Sequence, residues 1–177
     1  MEGRAATSAY TKMRVRTRFL VHGALIAALY IVLVLLATFT PYGALNFGQV
    51  QFRLSEALTV LPYFTPAAVP GLFVGCLVSN IVGTAAGVSL GIPDIVFGSL
   101  ATGLAAWCSW GLRRWKWLVP LPPVVINAAV VGTMLHLVLG LPLWPSVLAV
   151  GAGQLVVCYG LGTLLLVALD KRRSIFQ

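Results

Sequence analysis

Arg53-Leu54-Ser55-Glu56-Ala57-Leu58-Thr59-Val60-Leu61-Pro62-Tyr63-Phe64 is a short, mostly apolar stretch carrying two charges. Whether it crosses a membrane decides the fold. Pro62 and Pro66 bound it, since the residue before a proline is disfavoured in helical geometry. A helix needs about 20 predominantly apolar residues to cross the hydrocarbon core. Hydropathy alone therefore scores this segment poorly, and its neighbours must decide.

Those neighbours are unambiguous. Phe19–Phe39 is a clear span with His22 its only titratable group, and Val69–Ala86, Ile95–Leu112, Leu118–Leu139 and Trp144–Leu169 follow. The last two are divided by Gly140, Pro142 and Pro145. The whole chain of 177 residues is 59% hydrophobic and only 9% charged, with mean hydropathy +0.96. A soluble domain carries about a quarter charged residues, so lipid must replace water around most of this surface. The apolar run after the basic N-terminus is too long for a signal-peptide core and lacks a small-residue cleavage site.

Charge placement supplies the count. Twelve Lys and Arg face four Asp and Glu, a net +8. The basic residues cluster at Arg4, Lys12, Arg14, Arg16 and Arg18, then at Arg113, Arg114 and Lys116, then at Lys171, Arg172 and Arg173. Only Arg53 lies elsewhere. Lys and Arg gathered in short loops mark the cytoplasmic side. A nucleic-acid partner would instead require one basic face on a soluble fold, so none is expected. If all three clusters are cytoplasmic, an even number of spans separates each pair. Three clear spans precede the 113–116 break, so parity assigns a fourth to Arg53–Phe64. The expected fold is an all-α integral membrane protein with six transmembrane helices and both termini cytoplasmic. Residues 1–18 and 170–177 are basic tails flanking a single domain over 19–169.

In that topology the regions 40–52, 87–93 and 140–145 are external. Arg53, Glu56 and Asp94 then lie near the outer face, where ionisable groups are costly and mark function by default. Arg53 and Glu56 stand three apart, so on a helix they share a face and can pair. Asn80 also lies toward the outer end, and Gln51, Asn46 and Gln49 lie in the external loop before Arg53. Structural roles compete. Arg53 and Glu56 serve equally as an ion pair fixing two helices, and Asp94 after Pro93 as a helix-start residue favoured by the dipole. Asn127, after Pro122 and Pro123, serves equally to bond a neighbouring helix. His22 and His136 have no metal-ligand partner at useful spacing. Cys76, Cys108 and Cys158 fall inside spans and read as small buried hydrophobes. No metal or cofactor is expected.

Small residues recur four apart in the first span, as Gly23/Ala27 and Ala24/Ala28. Such pairs let another helix approach closely, within this chain or in a partner.

Four stretches carry a family resemblance: Gln51 to Pro62, Pro70-Gly71-Leu72-Phe73-Val74-Gly75-Cys76, Asp94 to Thr102, and Leu121-Pro122-Pro123-Val124-Val125-Ile126-Asn127. They resemble the QueT family, the substrate-binding S components of energy-coupling factor (ECF) transporters for queuosine precursors. The resemblance spans roughly Phe19 to Leu169 and implies six helices in a bacterial plasma membrane. It also implies capture of a 7-deazaguanine at the outer face. Uptake then follows association with a transmembrane coupling protein and two ATPases. An Ala-x-x-x-Ala motif in the first helix of S components contacts the coupling protein, and Ala24 and Ala28 match it. The whole subunit is thought to topple in the membrane. No Gly-Lys dipeptide occurs, so no phosphate-binding loop is present, and no catalytic constellation is evident; the chain is not expected to be an enzyme.

The ligand chemistry follows partway. A carboxylate accepts from two parallel N–H groups, as it does from a guanidinium, and Glu56 or Asp94 fits that role. Arg53, Gln51, Asn80 and Asn127 are candidates for the remaining contacts, and Tyr42, Phe52 or Trp144 for stacking on the flat ring. Alternatives are an S component for another vitamin or nucleobase, a proton-coupled carrier, an enzyme acting on lipid, and a structural subunit binding no small molecule.

Overall fold

The computed structural model describes residues 2–38 and 52–172, which are helical apart from short turns and include no β-strand. Helix α1 (Glu2–Thr38) is one continuous helix through the basic N-terminal stretch. Its apolar part, Met13–Thr38, has 26 residues, about 39 Å at 1.5 Å per residue, more than the hydrocarbon thickness of about 30 Å.

Leu54–Tyr63 winds as a 3-10 helix of 10 residues, whereas such helices seldom exceed about four. At about 2.0 Å per residue it spans roughly 20 Å, against about 15 Å for the same residues in an α-helix. Ser55 through Pro62 are all buried. The segment is packed by α1, by α2 (Ala68–Ala85), by α3 (Ser99–Gly111), by the π-helical turn Val156–Gly162 and by α6 (Thr163–Asp170). The expected span over Arg53–Phe64 is thus a helix of tight pitch enclosed by its neighbours, not an α-helix facing lipid. The physical reason is its charge. Arg53 and Glu56 would be expensive against acyl chains and are sheltered in protein instead.

A second π-helical turn, Asp94–Gly98, leads into α3. Helix α4 (Leu121–Leu139) ends at Gly140, whose φ of +67° is a conformation that glycine adopts without a Cβ penalty. Helix α5 (Leu143–Leu155) runs back through the Val156–Gly162 turn into α6. By length and composition four helices suffice to cross a membrane: Met13–Thr38, Ala68–Ala85, Lys116–Leu139 and Leu143–Asp170.

Helices α1 and α2 touch backbone to backbone. A Cβ on Gly71 would lie 2.6 Å from the Gly23 carbonyl oxygen, and one on Gly75 would lie 2.8 Å from the Tyr30 Cβ. Small residues permit such contact where lipid gives helices no hydrophobic push. The two small pairs of α1 therefore separate. Gly23 and Ala27 face α2, while Ala24 and Ala28 are exposed.

Contacts also order the two ends of the bundle. Lys116 pairs with Asp170, Phe64 packs on Val119 and Leu166, and Gly23 approaches the Ala67 carbonyl. The start of α2, the 113–116 break, the end of α6 and the N-terminal half of α1's apolar part thus share one end. Asp94 and the Gly140 turn belong to the other.

A buried polar cluster as candidate substrate site

Between α1, α2, α3 and the 3-10 helix lies a cluster that no soluble-protein argument would place in an apolar bundle. Glu56 is 0% exposed. Its Oε1 accepts from the Tyr30 hydroxyl at 2.7 Å and from Thr102 Oγ1 at 3.0 Å. Its Oε2 has no hydrogen-bond partner among the described residues. An unpaired buried polar atom costs about 1–3 kcal/mol, more when charged. The Glu56 backbone carbonyl, by contrast, accepts from the Thr59 hydroxyl and, at 3.7 Å, from the Cys158 thiol.

Arg53 caps the 3-10 helix in extended conformation, φ −78° and ψ 95°. That geometry swings its side chain toward Asp94, where Nη2 meets Oδ1 at 3.4 Å. The ion pair that helical spacing suggested for Arg53 and Glu56 therefore goes to Asp94 instead. The distance exceeds the 2.7–2.9 Å of a strong charge-assisted bond, so attraction here is mainly Coulombic. The other Asp94 oxygen accepts the Leu90 N–H at 2.8 Å. Asn80 Nδ2 donates to the Asp94 carbonyl at 2.8 Å and lies 3.3 Å from Ser99 Oγ and 3.4 Å from Cys76 Sγ. Gly98 makes room for this. A Cβ there would lie 3.1 Å from Asn80 Nδ2 and 3.6 Å from Arg53 Nη1.

Of the residues singled out in the sequence, Arg53, Glu56, Asp94 and Asn80 are brought together. Asn127 is buried on α4 but takes no part in this network, and Trp144 is 72% exposed at the start of α5. Gln51 and Tyr42 lie outside the described residues; Phe52 is at the surface. Sequence reasoning missed Tyr30, Thr102 and Ser55. Tyr30 is the lone hydroxyl-bearing side chain among the aliphatic residues of 19–37, a signal that was available. Thr102 ends one of the four quoted stretches. Cys76 and Cys158 are buried free thiols as read, yet each touches polar partners of the cluster.

Residues 20–171 match the family described as QueT transporter, and no solved structure matches. The chain belongs to the QueT transporter family. Its members are transporters, not enzymes, and with four membrane-length helices this one is a multi-pass membrane protein. It is similar to "Queuosine precursor transporter QueT" of Lactococcus lactis subsp. cremoris, 34% identical over 80 residues. That stretch is 45% of this chain and 41% of the relative, so less than half of the relative's length is matched. Glu56, Arg53, Asn80 and Asp94 all fall inside the family match.

Proposed function

We propose that this QueT family chain is the substrate-binding S component of an energy-coupling factor importer in the bacterial plasma membrane. It captures a queuosine precursor of the 7-deazaguanine class at the outer face. It crosses the membrane six times, with both termini cytoplasmic, and hands substrate on through a coupling protein driven by two ATPases. The relative's name supports the substrate class. The shared end of the bundle that gathers Lys116, Asp170 and the flank of Arg18 supports a common cytoplasmic face for the basic clusters. Exposure of Ala24 and Ala28, with Ala24 lining an apolar groove beside Leu20 and Pro70, supports that face as the docking surface.

One observation carries the reading. Glu56 presents a buried carboxylate oxygen with two free lone pairs, held in place by donors on its other oxygen. That is an acceptor waiting for a ligand N–H, which a 7-deazaguanine offers on its ring edge. Arg53, Asp94 and Asn80 form the polar wall beside it. Glu56→Gln should keep the purified protein folded and weaken 7-deazaguanine binding in calorimetry. The lost charge-assisted bond is worth about 1.5–3 kcal/mol, roughly ten- to a hundredfold in affinity. Unchanged affinity would transfer the role to Asp94 and end this assignment. Mass spectrometry of the ligand that copurifies distinguishes a 7-deazaguanine from another vitamin or nucleobase.

A further inference from the structure

Ser55 and Glu56 are consecutive, each is 0% exposed, and each has a side-chain oxygen without a hydrogen-bond partner among the described residues. Native interiors leave few such atoms. The two others here, Trp110 Nε1 and Thr163 Oγ1, belong to the far end of α3 and to α6. The Tyr30 phenol links the first pair. It donates to Glu56 Oε1 at 2.7 Å and lies beside the Ser55 side chain.

We propose that Ser55 is a second ligand-contacting residue, and that Ser55 Oγ and Glu56 Oε2 together read a lactam edge, an N–H beside a C=O. The inference rests on Glu56 contacting the substrate. A carboxylate offers about four lone-pair sites, and Tyr30 and Thr102 already take both on Oε1. A ligand that clasped both oxygens with two parallel N–H groups would displace one of those donors and leave it buried and unpaired. Oε2 alone is open, so Glu56 accepts on one oxygen only. Beside it a ligand carbonyl needs a donor, which a carboxylate cannot supply and a serine hydroxyl can. Successive side chains of a 3-10 helix are about 120° apart, so Ser55 and Glu56 reach a flat ring from two directions. Of the edges of a 7-deazaguanine, the ring N–H with the adjacent carbonyl matches this couple. The exocyclic amine is left to other contacts.

The test pairs a residue change with a ligand change. Binding of 7-deazaguanine and of 6-thio-7-deazaguanine, which keeps the N–H but replaces the carbonyl by a poor acceptor, is measured by calorimetry on the full chain. Ser55→Ala should weaken 7-deazaguanine about three- to tenfold, the size of one neutral hydrogen bond. It should change the 6-thio ligand by less than about twofold, because that bond is already lost. Ser55→Thr, which keeps the hydroxyl, should restore the discrimination. Equal losses for both ligands, or none for either, would overturn the proposal. Glu56→Gln measured alongside separates the failures. If it weakens both ligands while Ser55→Ala is silent, the Glu56 reading stands and the lactam couple falls. If Glu56→Gln has no effect, both fall.

Discussion

Neutralising Asp94 should destabilise the protein, and removing Arg53 at the same time should recover much of the loss. Arg53 and Asp94 are 5% and 0% exposed and 3.4 Å apart. At an effective dielectric of about 20, two charges at that distance attract by roughly 5 kcal/mol before desolvation is counted. Desolvation takes back much of that, so the intact pair contributes little net stability. Removing one partner is different, because the other charge stays buried without the opposite charge of this pair, at about 3–5 kcal/mol. Asp94→Asn is the right perturbation, since its amide oxygen can still accept the Leu90 N–H now bonded at 2.8 Å. Arg53→Met keeps the unbranched stem but is shorter, and it removes the charge. Thermal unfolding in detergent should fall by roughly 6–20 °C for each single change. The double variant should lie much nearer the parent than the sum of the two losses. Additive losses in the double variant, or singles without effect, would refute a coupled buried pair and return Arg53 to a surface role at the headgroups.

Ala24→Leu with Ala28→Leu should leave ligand affinity unchanged within about twofold and abolish uptake in cells expressing a complete transporter, because bulk on an exposed stripe blocks helix approach. Surviving uptake would remove this stripe as the docking surface. Cysteines placed singly at 114 and 142 should be labelled from the cytoplasmic and the outer side respectively; label reaching 114 from outside intact cells would sink the six-span topology. Proteoliposomes holding this chain alone should bind 7-deazaguanine without accumulating it, since a ligand shifts an equilibrium only by its differential affinity for two states. Uptake driven by a proton gradient in those vesicles would favour a carrier using Glu56 and Asp94, whereas uptake only with the ATPase module and ATP on its side supports the S-component reading.

Much of this molecule is legible because lipid makes polarity rare. In an apolar chain, Arg53, Glu56 and Asp94 stand out as the only acids and bases near the membrane besides the histidines, and the structure gathers all three. Helix limits were legible for the same reason, since charged and proline-rich breaks at 113–116 and 140–145 are where helices stop. What was hidden depends on rotation and pitch. Asp94 is 41 residues from Arg53, and no local spacing could select it over Glu56, three away on the same helix. That choice follows from the extended backbone at Arg53, which caps the 3-10 helix instead of lying within it. Thr102 was hidden because hydroxyl residues recur in the spans and only its aim at Glu56 distinguishes it, whereas Tyr30 stood out as the lone hydroxyl of 19–37.

The small residues of α1 make the same point about rotation more sharply. Gly23/Ala27 and Ala24/Ala28 are the same motif displaced by one residue, about 100° around a helix. Composition cannot rank them, and each pair alone would suit either internal packing or a partner. The decision comes from the other helix. Gly71 and Gly75 of α2 lack the Cβ atoms that would lie 2.6 Å from the Gly23 carbonyl oxygen and 2.8 Å from the Tyr30 Cβ, so α2 claims the Gly23/Ala27 face. Ala24 and Ala28 are then turned outward by necessity. The same contact aligns Tyr30 with the inner face, where its hydroxyl reaches Glu56. One glycine-lined seam thereby sets both the outward stripe open to a partner and the inward donor that holds the candidate ligand carboxylate. A shift of α1 along that seam must therefore be felt at both places.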